Sequence, residues 1–334
     1  MRTLQITGKL EMAVEEAEIP QPLAGQVRIK VAYVGICGSD LHYYYEGANG
    51  AFVVKEPLTP GHELSGTVDL DPVNEFPMGT RVTIHPARFG NSLPEIADRP
   101  HLWPQGSYLG SASTSPHTQG AMRDFMIVER SMIRIIPESL SLQGATLCEP
   151  LAVGIHAINI AGGVVGKRVL VSGSGPIGLL VMAAAKILGA ASITASDVLD
   201  GPLQRALLLG ASQTIKVTEE QLPTDAFDVV FECSGVPRAI SAALNAVRRA
   251  GIVVQVGMLG AGDQPIALAS LISKEVQFRG TFRFNTEIDD AIAMISNNKF
   301  LEQVITHTFA LTEATAGFAM AKNSEESGKV LIQL

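Results

Sequence analysis

Cysteine is scarce: Cys37, Cys148 and Cys233 are the three thiols of a 334-residue chain. So few cannot form a disulfide framework at this length, and a reducing cytoplasm is the expected compartment. An excess of basic residues is also lacking. With 25 Lys and Arg against 33 Asp and Glu the net charge is −8. That excludes a general nucleic-acid binder, whose surface must neutralise phosphates. A membrane-spanning run is missing too. Residues 169–185 carry no charge, but Ser172, Gly173, Ser174, Gly175 and Pro176 interrupt them, and a span needs about 20 predominantly apolar residues. Residues 1–10 hold Arg2, Lys9 and only a broken apolar run, so no secretory leader is expected.

Apolar residues, by contrast, are plentiful. At 46% hydrophobic and 17% charged, the chain can build packed cores and is not wholly disordered. Its length points to about two domains. Thirteen of 18 prolines and five of seven histidines fall in residues 1–150. Short strands among prolines, at 27–36, 66–70 and 80–84, predict an irregular β-rich unit there. Beyond residue 150 strands at 168–171, 192–195, 227–231 and 252–256 alternate with helices at 177–188, 203–209 and 239–247. That alternation predicts an α/β fold with a parallel sheet covered on both faces. Residues 287–296 and 313–321 read as amphipathic helices and 329–334 as a final strand. Periodicity does not say which domain they join. No internal repeat or low-complexity tract is visible.

Residues 171–178, V-S-G-S-G-P-I-G, contain G-x-G-x-x-G between a predicted strand and a predicted helix. Gly173 permits a tight turn, Gly175 lets the backbone approach a pyrophosphate, and Gly178 lets helix and strand pack closely. Pro176 suits the first helical turn, where its missing N–H costs nothing, and Ile177 follows it. The helix N-terminus then faces the phosphates. The next strand ends at Asp197, 19 residues after Gly178, and no Lys or Arg follows until Arg205. A carboxylate there suits the ribose hydroxyls and repels a 2′-phosphate, so NAD is expected over NADP. The alternative is a glycine turn in an α/β fold that binds no nucleotide.

Cys37, the pair His62-Glu63, and Glu149 form a mixed sulfur, nitrogen and oxygen set that suits catalytic zinc, with three protein ligands and one open position. Their spacing alone is unspecific. Cys37 reads equally as a small buried thiol, His62 as a loop histidine, and Glu149 as a cap or surface charge.

Five stretches together are specific: GICGSDLHYYYE at 35–46, PGHE at 60–63, EPLAVGIHA at 149–157, VSGSGPIG at 171–178 and RGTFRF at 279–284. On them the whole chain resembles the zinc-dependent medium-chain dehydrogenases/reductases. Within these it is most similar to the polyol branch that includes sorbitol dehydrogenase and L-idonate 5-dehydrogenase. The resemblance implies a Rossmann-type doubly wound parallel sheet over residues 151–285, binding the dinucleotide. It implies an irregular β-rich GroES-like catalytic domain from residues 1–150 and 286–334.

It also implies roles. Cys37 and His62 bind zinc, and Glu63 binds it directly or stands just behind. Glu149 meets the metal or its water, with Cys148 as a possible competitor. Asp40 accepts a hydrogen bond from the distal nitrogen of His62. Ser39 and His42 relay the alcohol proton. Tyr43 and Arg283 are substrate candidates; Arg283 can fork a sugar-acid carboxylate or act as a surface ion-pair partner. The other five histidines and Cys233 are expected to be structural.

The resemblance fails in one place. Relatives commonly hold a second zinc with four cysteines in a lobe that falls within residues 88–105, and that stretch contains no cysteine. One catalytic zinc and no structural zinc are expected. The lobe would hold itself by packing around Leu93, Ile96 and Trp103. Residues 265–272 read as an edge strand for a partner subunit or as core, in a homodimer or homotetramer. The expected reaction is oxidation of a secondary alcohol on a polyol or L-idonate-like sugar acid. A simple secondary alcohol, an amino-alcohol, or a non-catalytic nucleotide-binding role are the alternatives.

Overall fold

The computed structural model describes residues 1–260 and 262–334. The chain divides into two compact units. One is made of Met1–Glu149, Ile288–Asn323 and Lys329–Leu334, and the other of Pro150–Glu287 and Ser324–Gly328.

In the first unit the strand Gln26–Gly35 is central. Its alternation buries Val27, Ile29 and Val31 and exposes Lys30, as expected of a strand with one face on a core. Phe125–Glu129 pairs with its first half, and Glu63–Leu70 runs antiparallel along it. Arg81–Ile84 and Ile133–Ile135 extend the sheet on one side, Lys329–Gln333 and Ile305–Ala310 on the other. Register matters here. Gly35 stands opposite both Glu63 and Leu331. The chain's last strand therefore reaches the end of the central strand, just before Cys37.

The cysteine-free lobe is not a packed nucleus. It consists of two single turns, Pro94–Ile96 and Pro100–Leu102, neither with a buried residue. Leu93 is 39% exposed, so the expectation of packing around it is corrected. Ile96 and Trp103 do meet, but through a polar contact: the indole N–H donates to the Ile96 carbonyl at 3.0 Å. The lobe is pinned at its neck, where Ala87–Arg88 pairs with Ser107–Tyr108 and the Asn91 N–H donates to the Pro104 carbonyl at 2.9 Å. So short an apolar segment at the surface has too little area to bury; backbone pairing does the work instead.

The second unit is a six-stranded parallel sheet. Its order is Gln213–Lys216, Ser192–Asp197, Arg168–Ser172, Phe227–Glu232, Val247–Gln255 and Gln277–Gly280. Numbered along the chain this is 3-2-1-4-5-6, the doubly wound Rossmann order, with its switch point between the first and fourth strands. Residues 265–272 form no strand, although Ile266 and Leu271 pack against the core of this unit. They run irregularly into the helix Ala269–Ser273, and Ile272 is 77% exposed. Among the described residues, no helix is long and apolar enough to cross a membrane.

A buried acid ties the start and end of this unit. Glu287 Oε1 accepts from His156 Nδ1 at 2.7 Å and from Asn159 at 3.2 Å. Burial alone would raise the carboxyl's pKa, but the His156 hydrogen bond and nearby backbone amides lower it to about 2. A folded value below the unfolded one contributes stability that is complete above about pH 4.5 and is lost as pH falls through about 2. The shift corresponds to at most about 3 kcal/mol. Glu287→Gln is expected to lose most of that at pH 7 and to flatten the acid limb of a melting-temperature profile between pH 5 and pH 3. A variant whose acid limb matches the parent would refute the assignment.

Candidate metal centre and dinucleotide loop

Cys37 sits where the central strand gives way to the helix Gly38–Glu46, as its extended N-cap residue. Asp40, three positions on, is fully buried and faces back. Its Oδ2 accepts the Cys37 N–H at 2.9 Å and its Oδ1 the Gly61 N–H at 3.1 Å. One carboxylate thus fixes both backbones that carry sulfur and imidazole, as in a capping box extended to a second loop. Burial raises its pKa against the charge of His62 and those two amides. The expected hydrogen bond from His62 to Asp40 is absent: His62 Nδ1 is buried without a hydrogen-bond partner. Asp40 accepts the Gly61 amide instead and so acts on His62 through the backbone before it.

Glu63 follows His62 on the neighbouring strand, opposite Gly35. A Cβ on Gly35 would lie 2.1 Å from Glu63 Oε2, so only glycine admits the carboxylate there. One ligand atom from each of Cys37, His62 and Glu63 lies within 4.8 Å of the others. Glu63 is fully buried, and Lys329 answers its charge, with Nζ 2.7 Å from Oε1 and 2.6 Å from Oε2. The ammonium also donates to the Ile36 carbonyl at 3.1 Å. Burial would lower the Lys329 pKa, but Glu63 and Cys37 outweigh it and raise it.

Burial likewise works against a charged His62, yet Cys37, Glu149 and Asp40 together push it up to about 10. So strong a pull on a proton marks a seat for a cation. A thiol, an imidazole nitrogen and a carboxylate fit zinc. Glu149 is buried beside them, and burial and the charge of Glu63 raise its pKa against His62, Tyr108 and Lys329. Cys148 is fully buried and stands outside the three-residue cluster; burial pushes its thiol up.

The remaining candidates of this unit lie on the helix after Cys37. Ser39 is half-buried, and His42 is exposed with Nδ1 3.0 Å from Glu46 Oε1. Tyr43 is only 1% exposed, and its hydroxyl accepts the Ala112 N–H at 3.1 Å. Its oxygen is therefore committed inside the core. Tyr44 and Phe318 pack edge to face, as a pocket-wall residue would.

Two contributors carried no signal in the sequence. Tyr108 donates its hydroxyl to Glu149 Oε1 at 2.5 Å and sets its ring edge against His62. Lys329 lies 266 positions from Glu63. Neither belongs to a motif, and only strand pairing brings them in.

In the second unit Gly173 turns with φ +90°, Gly175 caps the helix Pro176–Ile187, and a Cβ on Gly178 would meet the Gly173 carbonyl at 2.0 Å. Pro176 and Ile177 form the first helical turn. Asp197 ends its strand and closes on this loop: Oδ2 accepts the Ser174 N–H at 2.8 Å and Oδ1 the Val198 N–H at 2.7 Å. Arg205 donates to the Ser324 and Glu325 carbonyls and also feels the charge of Asp197. Lys216 pairs with Asp200 and Glu219.

Glu232 was also missed. It is fully buried and accepts from Ser234 N, Gly235 N and Gln255 Nε2 at 2.9, 2.9 and 2.6 Å. An acid directly after the apolar run Val229–Val230–Phe231 was the available cue. Arg283 lies in this unit with φ +53°, its guanidinium over the Phe282 ring.

Two family models match the chain. One, described as alcohol dehydrogenase GroES-like domain, covers residues 23–138; the other, described as zinc-binding dehydrogenase, covers residues 176–297. The chain is 34% identical over 332 residues to L-idonate 5-dehydrogenase (NAD(P)(+)) of Escherichia coli (strain K12), across 97% of this chain and 96% of that protein. It is 34% identical over 332 residues to sorbitol dehydrogenase of Gallus gallus, across 94% and 91%. The crystal structure of the E. coli L-idonate 5-dehydrogenase matches with a TM-score of 0.94 at 32% identity, covering 100% of this chain and 98% of that one.

Proposed function

Because this chain belongs to the zinc-binding medium-chain dehydrogenases, we propose that it oxidises a secondary alcohol on a polyol or an L-idonate-like sugar acid and passes the hydride to NAD. The observation that carries the reading is the gathering of Cys37, His62 and Glu63 within 4.8 Å. It stands with the Gly173–Gly175–Gly178 loop that Asp197 closes. Relatives named for L-idonate and sorbitol support the substrate class. We assign catalysis to residues 1–150 and 286–334 and dinucleotide binding to residues 151–285.

Cys37, His62 and Glu63 would hold one zinc ion, which supplies a Lewis acid that eases ionisation of a substrate hydroxyl near neutral pH. The hydroxyl of Ser39 accepts the departing proton and His42, exposed at the next turn of the same helix, delivers it to solvent. Glu149 offers a carboxylate to a substrate hydroxyl. Tyr43 acts by packing, since its oxygen is already engaged, and Arg283 is assigned to a substrate carboxylate. Asp197 accepts from the adenosine ribose, and NAD is favoured because this carboxylate repels a 2′-phosphate and no Lys or Arg follows it until Arg205. The absence of cysteine from residues 88–105 supports one zinc per chain. Exposed Phe278 on the edge strand, with exposed Leu268 and Ile272 at the helix Ala269–Ser273, supports a homo-oligomer, dimer or tetramer. The three unpaired cysteines support a cytoplasmic site.

The test is a screen following reduced-cofactor absorbance with NAD and NADP across polyols, sugar acids and simple alcohols. Turnover of polyols or sugar acids with NAD is expected; turnover of unbranched alcohols alone would reject the proposal. Elemental analysis of the purified protein is expected to give about one zinc per chain. A ratio near two would mean that a second site exists.

A further inference from the structure

Two buried carboxylates, Glu63 and Glu149, stand beside one buried imidazole, and each has a different keeper. Glu63 is neutralised by the Lys329 ammonium. Glu149 has a neutral keeper: the Tyr108 phenol, itself buried, donates to Oε1 at 2.5 Å while its ring packs edge-on to His62 with centroids 5.4 Å apart. Tyr108 is in turn fixed by the short strand pair Ala87–Arg88 with Ser107–Tyr108 at the neck of the cysteine-free lobe. The ladder fixes its backbone, and burial holds its ring in place.

A metal with three protein ligands keeps a position for substrate, whereas four protein ligands make a closed, structural site. Glu149 is the residue near enough in charge and chemistry to become that fourth ligand, and it lies outside the three-residue cluster. We infer that Tyr108 is a positioning residue: by occupying Glu149 Oε1 it holds this carboxylate beside the ligand set instead of in it, and so keeps the fourth position open to substrate. The inference rests on the metal reading proposed above. It adds a device built from this chain's own residues, one that couples the lobe's neck to the openness of the site.

The experiment uses cobalt(II) in place of zinc and reads the visible spectrum. Tyr108→Phe keeps the ring on His62 and removes only the hydroxyl. The variant is expected to show weaker and shifted d–d bands, as Glu149 joins the metal. It is also expected to bind azide at the cobalt about 10-fold more weakly than the parent, the scale of losing an outer partner of a metal site. The double variant Tyr108→Phe with Glu149→Gln is expected to recover the parent bands and azide affinity. Glu149→Gln alone approaches the contact from the other side and needs no change at Tyr108. It is expected to leave the bands in place, and a shift there would show that Glu149 already binds the metal and would overturn the inference. Unchanged bands and azide affinity in Tyr108→Phe would overturn it equally. If the parent shows no thiolate-to-cobalt charge-transfer band, Cys37 holds no metal and the underlying reading fails with it.

Discussion

Cys37→Ala is expected to abolish zinc binding and to lower kcat/KM by about 1,000-fold or more, the scale of losing several kcal/mol of charge stabilisation in the transition state. The fold should survive. Cys37 is half-buried, and its contribution to the helix start is its backbone N–H, donated to Asp40, which alanine retains. Circular dichroism should therefore match the parent while bound zinc disappears. Near-parent turnover with zinc retained would remove Cys37 from the centre and with it the proposed chemistry.

Lys329→Met is expected to produce the largest loss of stability. It removes the cation from a fully buried Glu63 and leaves a desolvated carboxylate unpaired. Breaking a buried pair by deleting one partner costs about 3 to 5 kcal/mol, whereas replacing both by apolar or neutral groups costs little. The metal-free variant should therefore unfold at markedly lower denaturant concentration than the metal-free parent. Adding Glu63→Gln should recover most of the difference. Zinc should narrow the gap as well, since its charge answers the same carboxylate. A loss below about 1 kcal/mol in the metal-free protein would mean that water or relaxation already compensates Glu63. The ion pair would then be incidental.

The elements that were legible from the sequence are those whose cause is local. A run such as residues 169–171 is apolar throughout because a parallel strand is covered on both faces. Pro176 and the glycines around it announce a turn into a helix because their backbone preferences need no distant partner. Strand–helix alternation then leads to the doubly wound sheet, whose order follows the connection rules. Residues 265–272 misled for the same reason. An apolar run without its surroundings reads as strand or core, and here it is an irregular segment and a helical turn that packs Ile266 and Leu271 on the core and leaves Leu268 and Ile272 exposed.

Side-chain destinations were less legible. Tyr43 shares a helix with Ser39 and His42, but its burial and its bond from Ala112 depend on a segment 69 residues away. Asp40 has the right chemistry to orient His62, yet it does so through backbone amides, and where those amides lie is set by the fold. The lobe without cysteines was legible as an absence, but its mode of closure was not, since a backbone ladder at the neck leaves no compositional trace.

Residue types and local periodicity by themselves determined the two-part α/β architecture and which residues have ligand chemistry, and the resemblance of five motif stretches implied the family. Tertiary structure alone decided which carboxylate faces an ammonium and which faces a phenol. Those partners, Lys329 for Glu63 and Tyr108 for Glu149, come from strands 266 and 41 positions away. The physical reason is that a buried charge is governed by whatever donor the sheet register carries to it, and register is a property of paired strands, not of either strand alone.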